Sequence, residues 1–158
     1  SNDKVRASAP GMTGSNGKYI LRPGAGNSVM VTVSATLPDG KTVSDKKEFR
    51  IKGLPSPTGK VRGEVSPKGP RSSLEQSTVT AVMEDFDFPI TVNVTQFNIK
   101  VPGQPTVVVS GNRMNAAALN AIKKAGRGDV VVISEIKAKF VGIPVTPKAP
   151  SVCTFEVQ

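Results

Sequence analysis

Histidine and tryptophan are absent from this 158-residue chain, and cysteine occurs once, at Cys153. Without histidine there is no Ser-His or Cys-His nucleophile pair and no imidazole metal cluster, and a single cysteine forms no disulfide within one copy. Most hydrolytic and zinc chemistry is thereby removed. What these absences leave open is a site built from Asp and Glu alone, either a two-carboxylate glycosidase or a hard-cation site. Aromatic residues make up only 4% of the chain, with Tyr19 the single tyrosine, so little material exists for a stacking platform. No apolar run approaches the roughly 20 residues of a membrane span, and no signal peptide is visible. Ser1-Asn2 reads as an added remnant, and the chain is expected to be a piece of something longer, with a cleaved or omitted targeting segment left open.

What is present is a basic, β-patterned chain. The formal charge is +9 at pH 7, from 21 Lys/Arg against 12 Asp/Glu. The excess is spread along the sequence: no basic run exceeds two residues (Lys46-Lys47, Lys123-Lys124), and aromatics do not alternate with the cations. That distribution describes a solvated basic surface rather than a nucleic-acid site. No nucleic-acid partner, small-molecule substrate or cofactor is expected.

Period-two alternation and turn residues dominate, which predicts a mainly β protein. In SVMVTVSATL, residues 28–37, Val29, Val31, Val33 and Ala35 share one face of a half-buried strand. Pro38-Asp39-Gly40-Lys41 supplies a turn, and TVSDKKEFRIKG returns as the partner strand, with Phe49 and Ile51 facing one way and Lys47, Arg50 and Lys52 mostly wet. Further strands are expected near Val5 to Ala9 and Lys18 to Arg22. From Pro55 to Pro70 the chain is rich in Pro, Gly and Ser and unsuited to a central strand. A boundary near Pro55 to Gly59 therefore divides a first β domain, 1–57, from a second, 58–158.

The second domain reads as an edge strand around Lys60 to Val65, strands near 78–85, 90–101 and 105–110, one helix, and strands near 129–140 and 151–157. The fold class is two tandem Ig-like β-sandwich domains, the second carrying one inserted helix at about 113–125. In ITVNVTQFNIKV the apolar residues change phase between Val94 and Phe97, which predicts a bulge near Thr95-Gln96. An immunoglobulin-type sandwich needs about seven strands in about 100 residues. The first domain offers about four, and a segment of about 60 residues is marginal alone. Its completion by another segment or by a second chain is the expectation.

Three stretches invite a functional reading. Gly111-Asn112 before the helix resembles an anion-binding turn, but its asparagines are explained as helix caps. Met114, Ala118, Ala121, Ile122 and Ala125 fall on one helical face, with Asn120, Lys123 and Lys124 opposite. Arg127-Gly128-Asp129 matches an adhesion tripeptide, yet it also fits a helix stop, with a left-handed cap at Gly126, followed by strand entry. Glu84, Asp85 and Asp87 could hold a cation, although a turn packed by Phe86 and Phe88 fits them better and whether they bind one is left open. No catalytic, cofactor-binding or metal-ligating residue is assigned. Asn93-Val94-Thr95 matches a glycosylation acceptor but lies mid-strand, and it receives no role.

With these elements placed, KYILRPGAGNSVMVTVSATLPDGKTVSDKKEFRIKGLPSPTGKVRG and VVVSGNRMNAAALNAIKKAGRGDVVVISEIKAKFVG carry a resemblance, through their order and spacing, to the C-terminal periplasmic part of the GldM/PorM family of gliding motility and type IX secretion in Bacteroidetes. That resemblance implies a periplasmic homodimeric rod, anchored to the inner membrane by an upstream segment that associates with GldL/PorL. It further implies that the distal domains reach the outer-membrane-associated GldK/GldN (PorK/PorN) ring, and that the chain transmits force without catalysing a reaction. Within this reading Lys123, Lys124 and Arg127 are the candidate partner-contacting residues. The competing reading is an extracellular adhesion or carbohydrate-binding β-sandwich module, and an Asp/Glu hydrolase is the third class.

Overall fold

A computed structural model describes residues 4–158; the expectation about Ser1-Asn2 lies outside the described residues. The chain is mainly β and falls into two compact units, Ser1–Gly53 and Leu54–Gln158.

In the first unit, alternating Val and polar residues make the long strand β4 (Ser28–Thr36), flanked by β1 (Val5–Ser8) and β5 (Thr42–Arg50) in an antiparallel sheet of order β1-β4-β5. The turn from β4 to β5 forms as its residues suggest. Leu37 and Lys41 close it, and the amide of Lys41 donates to the Asp39 carboxylate at 2.9 Å. A separate hairpin, β2 (Met12–Ser15) with β3 (Lys18–Leu21), turns at Asn16-Gly17, whose positive φ values of 54° and 79° suit a two-residue loop. Among the described residues of this unit only Val29 and Val31 are buried; Val33, on the same face of β4, is 41% exposed. Every residue of β5 is exposed. Phe49 is therefore not the packed residue that the alternation suggests. Its ring lies beside Val29 across the strand pair and is covered on one side by the Lys47 ammonium, 5.5 Å from its centroid.

The second unit is built differently. A five-stranded sheet of order β10-β9-β11-β12-β7 faces a two-stranded layer, β6-β8. Its strands are β6 (Thr58–Val61), β7 (Lys68–Gly69), β8 (Val79–Val82), β9 (Val92–Lys100), β10 (Val107–Ser110), β11 (Val130–Phe140) and β12 (Cys153–Val157). Between the layers lies one contiguous core, with Val61, Leu74, Val79, Phe97, Ile99, Val109, Ile122, Val131, Ile133 and Phe155 all fully buried. Two short helices, not one, complete it. Besides α2 (Ala116–Ile122), the sequence PRSSLEQ forms α1 (Arg71–Glu75), a single turn whose Leu74 plugs the core. The edge strand expected from Lys60 to Val65 starts and stops earlier, because Arg62 and Gly63 adopt positive φ in a tight turn closed by the Val61 and Glu64 backbones.

The bulge inferred at Thr95-Gln96 is present. Along the β9-β11 pair Lys137 lies opposite Gln96 but Ala138 lies opposite Val94, so Thr95 is skipped. One step earlier β11 carries the compensating extra residue at Glu135-Ile136, with Glu135 at φ 49°. The paired bulges restore register, which lets Val94 and Phe97 both be buried despite their odd spacing.

Candidate partner interface

The three cations singled out by sequence lie together at the C-terminal end of α2. The helix begins at Asn115, whose side chain accepts from the Ala118 amide at 2.8 Å, so the capping reading of the asparagines holds there. Ala118, Ala121, Ile122 and Ala125 enter the core, with Met114 packed against it, and Lys123 and Lys124 are left exposed. The Gly111 amide donates to the Thr95 carbonyl at 2.7 Å and so does not point at a ligand.

Arg127 follows in a tightly fixed turn. The Asp129 carboxylate accepts from the Gly126 amide at 2.8 Å, the Asp129 amide donates back to the Gly126 carbonyl, and Gly128 donates to Val157 at 2.7 Å. The left-handed residue is Gly128 (φ 88°), not Gly126 as the helix-stop pattern suggested, because the Asp129 side chain supplies the acceptor for the Gly126 amide. With its acid folded back on the turn, Arg127-Gly128-Asp129 is a helix-to-strand connector. Arg127 alone projects as an exposed cation.

A fourth cation joins them from α1. The Arg71 guanidinium donates to the Lys123 carbonyl, satisfying one of the carbonyls left unpaired at a helix end, where positive charge is also favoured by the helix dipole. Sequence reasoning missed Arg71 because it lies 52 residues away, on a helix too short to show periodicity. Arg71 and Arg127 share the wall of a depression of about 730 Å³ with Glu75, Gly126 and Gln158. None of Lys123, Lys124, Arg127 and Arg71 forms an ion pair among the described residues. The result is an exposed cationic end with charge to offer an acidic surface.

The other candidates resolve into local structure. Glu84 is held by the Lys60 ammonium at 2.5 Å and by the Thr58 hydroxyl at 3.4 Å, and Asp85 takes a positive φ of 51° in a turn where Phe86 and Phe88 meet edge to face at 6.0 Å. The hydrogen bond from Lys60, then its charge, hold the Glu84 carboxyl below its ordinary range. Among the described residues no three His, Cys, Asp or Glu side chains converge as metal ligands would. Burial pushes the Cys153 thiol up to about 11, which makes it an unreactive core residue at neutral pH. Tyr19, the only tyrosine, donates its hydroxyl to the Val5 carbonyl at 3.3 Å.

Geometry of this kind defines a pair of tandem β modules whose distinguishing features are exposed apolar and cationic faces rather than a reaction centre. Two family models divide the chain: the GldM third domain matches residues 1–52 and the GldM C-terminal domain matches residues 55–158. The chain belongs to the GldM family. That family is a gliding-motility and type IX secretion component, a structural part of a motor rather than a known enzyme family, periplasmic and anchored to the inner membrane. Among the described residues no helix is long and apolar enough to cross a membrane. No curated protein matched the chain.

Proposed function

We propose that this chain is a non-enzymatic, force-transmitting part of the type IX secretion and gliding motor. In this reading it forms the distal part of a homodimeric periplasmic rod, joined to GldL/PorL only through an upstream membrane region. Its terminal domain contacts the outer-membrane-associated GldK/GldN (PorK/PorN) ring. The observation that carries the dimer is the sheet of the first unit: beside the buried Val29 and Val31, the same face leaves Val33, Val43 and Phe49 open to solvent. A small domain with an apolar patch left open beside its core is marginal alone, so a second copy is the natural cover.

Ring contact is carried by the cationic end of α2. Lys123, Lys124 and Arg127 form no ion pair among the described residues and lie at a helix end followed by a tightly bonded turn, which suits steering and docking of an acidic protein surface. Reversing all three to Glu is expected to weaken capture of the purified GldK/GldN (PorK/PorN) ring components at least about tenfold, with the loss shrinking as salt is raised. Binding unchanged by the triple reversal removes this end from the interface.

A further inference from the structure

The second unit contains an opening in its main sheet that the motor reading does not use. β12 pairs with β11 only at Val130–Ile133, whereas β11 continues to Phe140 along β9. The edge of β11 from Ile136 to Phe140 that faces away from β9 therefore has no strand beside it. The Val141 amide donates to Thr91, and backbone direction alternates along an antiparallel pair. Lys139 accordingly bonds toward β9, and the N–H and C=O groups of Ala138 and Phe140 point outward from that edge.

The chain does come back past this edge, but in a form that does not pair with it. Residues 141–152 connect β11 to β12, and Pro144, Pro147 and Pro150 recur every third residue, the repeat of an extended polyproline helix. Prolines supply no amide to a ladder. No backbone hydrogen bond ties residues 142–150 to the rest of the unit. Between this wall and the strand edge lies a groove of about 540 Å³ with Ile136 and Phe140 along it and Val145 on the opposite side. Its charged lining is of one sign, Lys137 and Lys139 from β11 and Lys148 from the loop, and none of the three is ion-paired among the described residues.

We propose that this groove binds an extended acidic segment of a partner protein, which adds as a strand to the open edge of β11 at Ile136–Phe140. Backbone bonds to Ala138 and Phe140 supply affinity that is independent of side chains, and alternate side chains supply the selectivity. Apolar residues of the guest lie toward Ile136 and Phe140, and its Asp or Glu residues lie toward Lys137, Lys139 and Lys148. The commitment to an acidic guest rests on that unbalanced lysine rim. The site is separate from the cationic end of α2, so each can fail without the other.

The test uses the whole chain, isotope-labelled, titrated with a capped eight-residue peptide alternating valine and glutamate. The expected result is a saturable shift of the Ala138 and Phe140 amide signals and slower exchange of both. The same peptide with lysine for glutamate, or with every second amide N-methylated, is expected to bind at least about tenfold more weakly. Lys137→Glu with Lys139→Glu is expected to weaken the acidic peptide by a similar factor. Ala138→Pro, which removes one outward amide, should do the same without altering charge. Because the lysine variants leave the backbone and core untouched, they decide the matter if the proline variant does not fold. Lys123→Glu, Lys124→Glu and Arg127→Glu together should leave peptide binding intact. Equal binding of the lysine peptide, or no response at residues 136–140 at millimolar peptide, overturns the proposal. So does protection of the edge amides that appears with protein concentration alone, which would assign the groove to a second copy.

Discussion

The two units obey the same period-two code and arrive at different states. In the second unit each alternating strand finds a facing layer, and Phe97, Ile99, Ile133 and Phe155 are sealed between β9-β11-β12 and the β6-β8 layer. In the first, β4 carries a comparable valine pattern, yet only Val29 and Val31 fall below a tenth exposed, while Val43 and Phe49 of β5 are about half exposed. Alternation thus marks a face that must be covered and says nothing about what covers it. One unit contains its cover; the other is expected to obtain it from a second copy.

The chain supplies a separate reporter for each unit: its only tyrosine, Tyr19, lies in the first and its only cysteine, Cys153, in the second. The largest expected effect comes from the sealed core. Phe155→Ala removes a fully buried ring and should cost about 3–5 kcal/mol, read as the denaturant dependence of Cys153 labelling. Tyr19 fluorescence should keep its own transition, and that transition should move to lower denaturant on dilution if, as proposed, its stability includes association. A Tyr19 transition independent of protein concentration, or one that tracks the core mutation, would break the contrast between a self-sufficient unit and a dependent one. The thiol also carries a pH signature. Its proton is held more tightly in the fold than at the ordinary value of 9.0, so the associated stability is fully present below pH 9 and is lost as pH rises through about 11.

A smaller effect is expected at Gly59, where β6 passes the strand β12 enters. A β-carbon there would sit 2.0 Å from the Ser151 carbonyl oxygen and 2.8 Å from the Ile136 side chain, while the Gly59 amide donates to the Ser151 hydroxyl at 3.1 Å. Gly59→Ala must move backbone, at a cost of about 1–3 kcal/mol in the Cys153 transition and none in that of Tyr19. Serine at 151 has a matching role, so Ser151→Ala should reproduce only the lost hydrogen bond, about 1 kcal/mol.

Much of this was legible in the residues, and the failures have a common origin. The strands from β4 through β12 with four or more residues announced themselves by alternation, and the phase change between Val94 and Phe97 located a bulge because apolar side chains must return to one face. The α2 face and its Asn115 cap were equally readable. Elements too short for a period were not: α1 offers only Leu74 to the core, and β7 is two residues that pair in parallel with β12. The exposure of Phe49 escaped because it depends on how far the face is covered, which alternation alone does not state: Val29 opposite it is buried, while Phe49 is not. Of the candidate interface, Lys123, Lys124 and Arg127 were visible by proximity in sequence. Arg71, the shift of the left-handed turn to Gly128, and the groove along β11 depend on where distant segments end, which local patterns do not encode.

The smallest expected effect refines the comparison at the rim of the β6-β8 layer. Lys60 and Glu84 tie β6 to the end of β8 through an ammonium-carboxylate contact of 2.5 Å, with Thr58 adding a weaker bond. Glu84 is solvent-exposed, so water and salt compete with the pair and its weight in stability is slight. Its sign is nonetheless fixed. A carboxylate whose folded pKa lies below the ordinary 4.5 contributes above that value and loses the contribution as pH falls through the lowered folded pKa. Lys60→Met should return the Glu84 titration, followed by the side-chain carboxyl carbon in NMR, toward the ordinary value, and acid should then shift the Cys153 transition slightly less than in the parent. If the parent Glu84 already titrates at its ordinary value, the pair is not populated in solution, and the rim of the β6-β8 layer adds nothing to the second unit's stability. That outcome would deepen the contrast, since this rim of the sealed unit would then owe nothing to surface charge, whereas the first unit is proposed to depend on a surface it shares.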